Sequence, residues 1–123
     1  MCDHKRLRAF QLADEVVIGI YRLTKVFPKD ELFGLKSQMR KAAVSVPLNI
    51  VEGCARESQN EYLRFLEIAF GSLRELHYQF ELSKKLGYII NRDIKPIQEK
   101  IIEAEKVLSA LLRSMRKSNK SHQ

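Results

Sequence analysis

The sequence predicts an all-α protein, an antiparallel up-down-up-down four-helix bundle, and three observations carry that prediction. Apolar residues recur at alternating three- and four-residue spacing along four stretches of about 22–29 residues, the period of a helix with one buried face. Helix breakers are scarce: there are 5 glycines and 3 prolines in 123 residues, and no proline interrupts a strand-like alternation. The joints between the stretches span only a few residues, which makes consecutive helices antiparallel neighbours. A chain of this length supports one domain with a real core. Residues 1–116 are assigned to the bundle and residues 117–123, a basic tail with nothing to bury, to a disordered end.

The first helix is expected from Lys5 to Val26. Phe10, Ala13, Val17, Ile20 and Thr24 form one stripe, with Leu12, Val16, Gly19, Leu23 and Val26 beside it. Phe27-Pro28 ends it, because a residue before proline is pushed out of the α region. Asp30 is the expected cap of a short turn that leads through Gly34 into the next helix.

The central helix, Leu35–Arg56, is apolar around most of its circumference. Leu35, Met39, Ala42, Ala43, Val46, Ile50 and Gly53 cover one side, and Val44, Leu48, Val51 and Ala55 continue round the other. Only Gln38, Lys41, Ser45, Asn49, Glu52 and Arg56 form a polar arc. Such a helix is expected to be buried on more than one side. Pro47 lies mid-helix and is expected to kink it, two short helices broken at the proline being the alternative.

The third helix opens at Ser58-Gln59-Asn60-Glu61, which has the form of a capping box. Its core stripe is Tyr62, Phe65 or Leu66, Ala69, Leu73, Leu76 and Phe80, flanked by Leu63 and Phe70. Gly71 sits mid-helix at a cost of about 1 kcal/mol relative to alanine, which close packing against a small-residue helix is expected to offset. Gly87, followed by Tyr88 and Ile89, marks a Schellman-type end. Asn91 is the expected cap of the fourth helix. Its stripe is Ile94, Ile97, Ile101, Ala104, Leu108, Leu111 and Met115, and Pro96 falls in or near the first turn.

The formal net charge of +7 is compatible with nucleic acid, an anionic membrane or an acidic protein as partner. Up-down topology gathers the N-terminus, the turn between the second and third helices, and the C-terminus at one pole. There Lys5, Arg6, Arg8, Arg56, Arg113, Arg116, Lys117 and Lys120 face only Asp3, Glu57 and Glu61. No run of apolar residues reaches the roughly 18–20 of a membrane span, and MCDHKRLRAF has no apolar leader core. Cys2 and Cys54, far apart in sequence, are read as unpaired, Cys54 as a small buried apolar residue, and a reducing cytoplasm as the compartment.

Chemistry is sparse. His4, His77 and His122 lack the Glu-x-x-His spacing of a di-iron bundle, so no metal site is expected, and His77 reads as an interface or surface residue. No phosphate loop, nucleophile elbow or catalytic carboxylate pair stands out, so no enzyme, catalytic residue or cofactor is expected. Arg40, beside the apolar arc, is expected to pack its stem and keep its head in water. The apolar faces exceed what four seams consume, and a homo-oligomer follows. Val16, Leu23, Val44, Leu48, Val51, Leu63 and Phe70 are its candidate interface residues.

Beyond these features, the stretches FPKDELFGLKSQMRKAAVSVPLNIVEGCARES and EYLRFLEIAFGSLRELHYQFELSKKLGYI resemble the small bundle family first noticed as open reading frames in intervening sequences of bacterial 23S ribosomal RNA genes. The resemblance spans about Phe10 to Leu112. It is densest from Phe27 to Ile89, in Phe27-Pro28, Gly34-Leu35, Ser37-Gln38, Arg40, Ala42–Pro47, Asn49-Ile50, Glu52-Gly53, Phe65-Leu66, Ala69, Gly71–Leu73, Glu75-Leu76 and Leu86–Tyr88. The family often has arginine where this chain has Lys41, and glycine or arginine where it has Cys54. The resemblance implies a ring-like homopentamer and kinship with the accessory variability protein of diversity-generating retroelements, which works with a reverse transcriptase and RNA.

The expected function is therefore a non-enzymatic, basic, oligomeric scaffold that binds structured RNA through phosphates. Arg40, Lys41, Arg56, Lys5, Arg6, Arg8, Arg113, Arg116 and Lys117 are the candidate contacts. The rival is a protein–protein adaptor that recruits an acidic partner such as a polymerase or reverse transcriptase.

Overall fold

The computed structural model describes the backbone of residues 2–121 and the side chains of residues 2–118. Four helices carry the chain: α1 (Arg8–Leu23), α2 (Leu35–Cys54), α3 (Gln59–Lys85) and α4 (Asn91–Ser121). Each packs on its neighbours in sequence, and α4 closes the square against α1. The directions alternate. The N-terminal segment meets the end of α2 at Cys54, the end of α4 meets the start of α3 through Arg116 and Glu67, and Tyr88, past the end of α3, reaches back to Glu31 before α2.

The helix ends are set by local chemistry. The expected first helix is shorter than its periodicity suggests, because Leu7 is extended and isolates a 3-10 turn over His4–Arg6, whose amides Asp3 helps to cap. A second 3-10 turn, Thr24–Val26, tightens the far end. Asp30 lies within the 3-10 turn Lys29–Glu31, which has no side-chain cap, while Glu31 Oε1 accepts from the Leu35 amide at the start of α2 at 3.1 Å. Helix α2 runs unbroken through Pro47, so the two-helix alternative falls. Ser58 Oγ accepts from the Glu61 amide at 3.3 Å, the serine half of the capping box. Gly87 adopts φ 74°, and the Tyr88 and Gly87 amides donate to the Ser83 and Lys84 carbonyls at 3.0 Å, the bond pair of a Schellman end.

Helix α4 continues to Ser121, so the segment from Lys117 that was expected to be disordered is helical as far as residue 121. The helix needs no further burial there: its own i to i−4 bonds continue, and lysine and arginine near a helix C-terminus complement the dipole. Residues 122–123, including His122, lie outside the described residues.

The core is one cluster drawn from all four helices. Phe80, Leu12, Ile20, Met39, Ile50, Leu66, Leu73, Leu76, Ile101 and Leu108 are all under 2% exposed. Along α1 the buried line, Ala9, Leu12, Ala13, Val16, Ile20 and Leu23, runs between the two expected stripes. Burial of Ser83 is balanced by its hydroxyl donating to the Gln79 carbonyl at 2.8 Å.

The glycines divide the α2–α3 seam unexpectedly. At Gly53 an added Cβ would come within 3.0 Å of both the Phe65 Cβ and Tyr62 Cδ1, so α2 and α3 approach closely here. At Gly71 nothing lies within 4 Å of the same position. Close packing within the chain therefore does not offset the cost of Gly71. Gly71→Ala should raise the unfolding free energy by about 0.5–1 kcal/mol, because alanine removes backbone freedom from the unfolded chain without a clash. A urea titration would show a higher midpoint at unchanged slope.

Candidate nucleic-acid interface

The bundle brings part of the basic set together. A depression of about 380 Å³ at one pole is lined by Cys2, Cys54, Arg56, Glu57, Ser58, Gln59, Tyr62 and Met115, so residues from the N-terminal segment, the α2–α3 turn and late α4 share one end. Lys5, Arg6 and Arg56 are exposed there, with Arg116 and Lys117 on the last turns of α4. Arg56 lies over the Phe65 ring at 4.9 Å, which holds the guanidinium at the rim. Burial raises the Tyr62 phenol above its usual value of 10.0.

Several of the cations are already paired. Arg6 faces Asp3 at 3.7 Å, and Arg116 faces Glu67 at 3.8 Å. Arg8 turns along the bundle to Glu103 at 2.9 Å, and Arg113 donates to Ser109 Oγ at 2.9 Å. Lys5 and Arg56 make no ion pair among the described residues, which leaves them the readiest cations of the pole for an incoming anion.

Arg40 and Lys41 do not join this cluster. They lie sixteen and fifteen residues before Arg56, which follows α2 by two residues, a rise of roughly 22–24 Å at 1.5 Å per residue. The expectation that the Arg40 head stays in water is also corrected. Its Nε donates to Thr24 Oγ1 at 2.9 Å, an Nη donates to the Tyr21 carbonyl at 3.0 Å, and the guanidinium lies 4.4 Å from the Tyr21 ring centroid. The Tyr21 carbonyl is one of the last in α1 and also accepts from Thr24 Oγ1 at 3.4 Å, so Arg40 fastens the end of α1 to α2. Lys41 is exposed on a groove of about 700 Å³ with Tyr21, Leu32, Lys36, Val44 and Leu48; no carboxylate lines it.

The candidate interface residues also divide. Val44 and Leu48 are 37% and 51% exposed, and Val51, Leu63 and Phe70 are half-buried. Val16 and Leu23, at 1% and 5%, are spent in this chain's own core and offer no surface to a second subunit. The two-stripe reading of α1 could not separate them, because the bundle axis falls between the stripes.

Two features escaped the sequence. Glu105, 9% exposed on α4, takes a 2.8 Å bond from Arg74 and lies 2.9 Å from His77 Nδ1, while Lys84 bridges Glu81 and Gln98. This row ties α3 to α4. The other is a disulfide between Cys2 and Cys54, where two unpaired cysteines were expected. The fold supplies the reason: α1 and α2 are antiparallel, so the chain start returns to the end of α2, where the Cys2 amide donates to the Cys54 carbonyl at 2.9 Å. The cysteine argument for a reducing compartment falls with that pairing. Among the described residues no group of three His, Cys, Asp or Glu is placed to hold a metal ion, and no helix is long and apolar enough to cross a membrane.

Comparison with known proteins places these features in a group. A family model described as "23S rRNA-intervening sequence protein" matches residues 5–110. The fold resembles the 1.70 Å crystal structure of a protein of unknown function from the S23 ribosomal protein family of Bacteroides thetaiotaomicron. The two superpose with a TM-score of 0.76 at 21% identity, over 85% of this chain and 95% of the other. No curated protein matches.

Proposed function

This chain belongs to the 23S rRNA-intervening sequence protein family, and from that premise we propose that it is a non-enzymatic, basic, oligomeric helical scaffold that binds structured RNA through phosphate contacts. The observation that supports this reading is the pole: Lys5, Arg6, Arg56, Arg116 and Lys117 gathered at one end, with Lys5 and Arg56 in no ion pair among the described residues. Lysine and arginine recognise phosphate as charge, so such binding is salt-sensitive and poor in sequence preference. Exposed aromatics for base stacking are few near the pole, which favours a structured duplex backbone over single-strand readout. The oligomer is supported by the exposed apolar side chains of α2 and α3, among them Val44, Leu48, Ile68 and Tyr78.

The test is retention of a structured RNA on a filter across a salt series. Reversing charge at Lys5, Arg56, Arg116 and Lys117 together, with light-scattering mass unchanged and above the 14.3 kDa of one chain, should weaken binding and lower the salt slope by about one per phosphate contact removed. Unchanged retention at low salt would end the phosphate-contact reading, and a 14.3 kDa particle at micromolar concentration would end the oligomer.

A second reading, an adaptor for an acidic partner, draws on the α1–α2 groove. Its apolar floor of Tyr21, Leu32, Val44 and Leu48 suits apolar side chains rather than phosphate, and Lys36 and Lys41 on its rim suit carboxylates. Loss of partner binding on reversing Lys36 and Lys41, with RNA retention intact, would separate the two.

A further inference from the structure

We propose that Cys2–Cys54 is a thiol–disulfide exchange site whose redox state decides whether the basic segment Cys2–Arg6 is clasped to the pole. Its 3-10 turn, His4–Arg6, has no buried residue, and the next residue, Leu7, packs against the core where α1 begins. Most of its bonds are to itself or to α1: Asp3 caps its amides, Gln11 Nε2 donates to the Lys5 carbonyl at 3.1 Å, and His4 meets the Phe10 ring edge-on at 4.8 Å. Among the described residues, the bonds that carry it across to α2 are the disulfide and the single Cys2 amide to Cys54 carbonyl hydrogen bond. A turn that buries no residue and is bonded to α2 at two adjacent points separates readily once the covalent one opens, with Leu7 staying packed as the hinge.

The bond is placed to be opened. Cys2 is exposed, whereas Cys54 is 2% exposed, and both line the open depression at the pole. An incoming thiolate therefore reaches the Cys2 sulfur, and Cys54 leaves as the thiolate and takes a proton. The required reductant is a dithiol. Its first sulfur forms the mixed disulfide with Cys2, and its second displaces Cys2 and closes the dithiol into its own disulfide. Two electrons and two protons pass to the chain, which ends with two thiols, and the dithiol ends oxidised.

The consequence follows from what the segment carries. His4, Lys5 and Arg6 lie on the clasped turn, and Arg56 follows Cys54 by two residues. Closed, the bond holds Lys5 and Arg6 at the same end as Arg56; open, it leaves them on a free end. This consequence rests on the phosphate-binding reading of the pole, whereas the exchange itself does not.

The experiment uses the full chain in three forms: as isolated without reductant, reduced with dithiothreitol then alkylated and desalted, and Cys2→Ser. Intact mass after iodoacetamide should show no label on the first form before reduction and two labels after it. Labels before reduction, or none after, would overturn the site. Trypsin cleavage after Lys5 or Arg6, read by mass after quenching, should be about tenfold faster in the reduced and Cys2→Ser chains than in the oxidised one. Equal rates in all three would overturn the clasp. Structured RNA should bind the oxidised chain about tenfold more tightly than the other two at low salt, as expected from withdrawing two cations. RNA affinity that is measurable yet identical in all forms would overturn the coupling. RNA bound by none of them, with the trypsin difference present, would sink the function of the pole and leave the clasp standing.

Discussion

Replacing Phe80 with alanine should lower the unfolding free energy by about 3–5 kcal/mol, the range for removing a large aromatic from a packed interior. Phe80 is the largest of the fully buried side chains, at 0% exposure, and it sits on the α3 stripe with Leu73 and Leu76. Helices α3 and α4 beside it are tied by the Arg74–Glu105 and Lys84–Gln98 links, which resists collapse into the space. Lys84 Nζ lies 5.8 Å from the ring centroid, and this contact is lost as well. A urea titration at fixed protein concentration is the measurement, and a midpoint that falls at constant slope is the expected form. A loss below about 1 kcal/mol would mean that the core relaxes around the deletion, contrary to the close packing described.

Reduction of Cys2–Cys54 should also destabilise the chain globally, by roughly 4 kcal/mol at most, because a crosslink across 52 residues restricts the unfolded ensemble. This effect is separate from the opening of the segment, which concerns the folded state. Cys2→Ser is the cleaner probe than Cys54→Ser, since serine at the exposed position 2 leaves no buried hydroxyl, whereas position 54 is enclosed. The unfolding midpoint of the parent chain should drop on adding dithiothreitol, and that of Cys2→Ser should start lower and not move. A reductant-dependent shift in Cys2→Ser would assign the effect to something other than this bond.

The sequence carried the architecture because helix period and short joints are local signals. Leu66, Leu73, Leu76 and Phe80 lie where the 3-4 pattern puts them, and Gly87 ends α3 with the bonds its position implies. What it could not carry depends on which groups meet across space. Arg40 stood out as a charge beside an apolar arc, but its acceptors are the Thr24 hydroxyl and a carbonyl at the end of another helix, and every helix end offers such carbonyls. Glu105 occupies an edge of the α4 stripe, and only the facing Arg74 and His77 make its burial intelligible. Cys2 and Cys54 needed the same step. The expected topology already gathered the N-terminus and the end of the central helix at one pole, yet sequence separation alone hides a pair 52 residues apart. Val16 and Leu23 erred in the other direction, since two adjacent stripes on α1 do not reveal which one faces the axis. Of the basic cluster, the pole was legible from topology, while the ion pairs that occupy Arg6, Arg8 and Arg116 were not.

As a polymer, the oxidised chain is not a simple string. The bond between residues 2 and 54 folds α1 and α2 into a covalent ring, with α3 and α4 as its tail. Tension applied to the two chain ends bypasses that ring through the sulfurs. Roughly 180 Å of extended backbone, at about 3.5 Å per residue, stays hidden from the pull until the bond is cut. The two halves of the bundle therefore differ mechanically although they share one core: α3 and α4 yield their length to force directly, and α1 and α2 yield theirs only after chemistry.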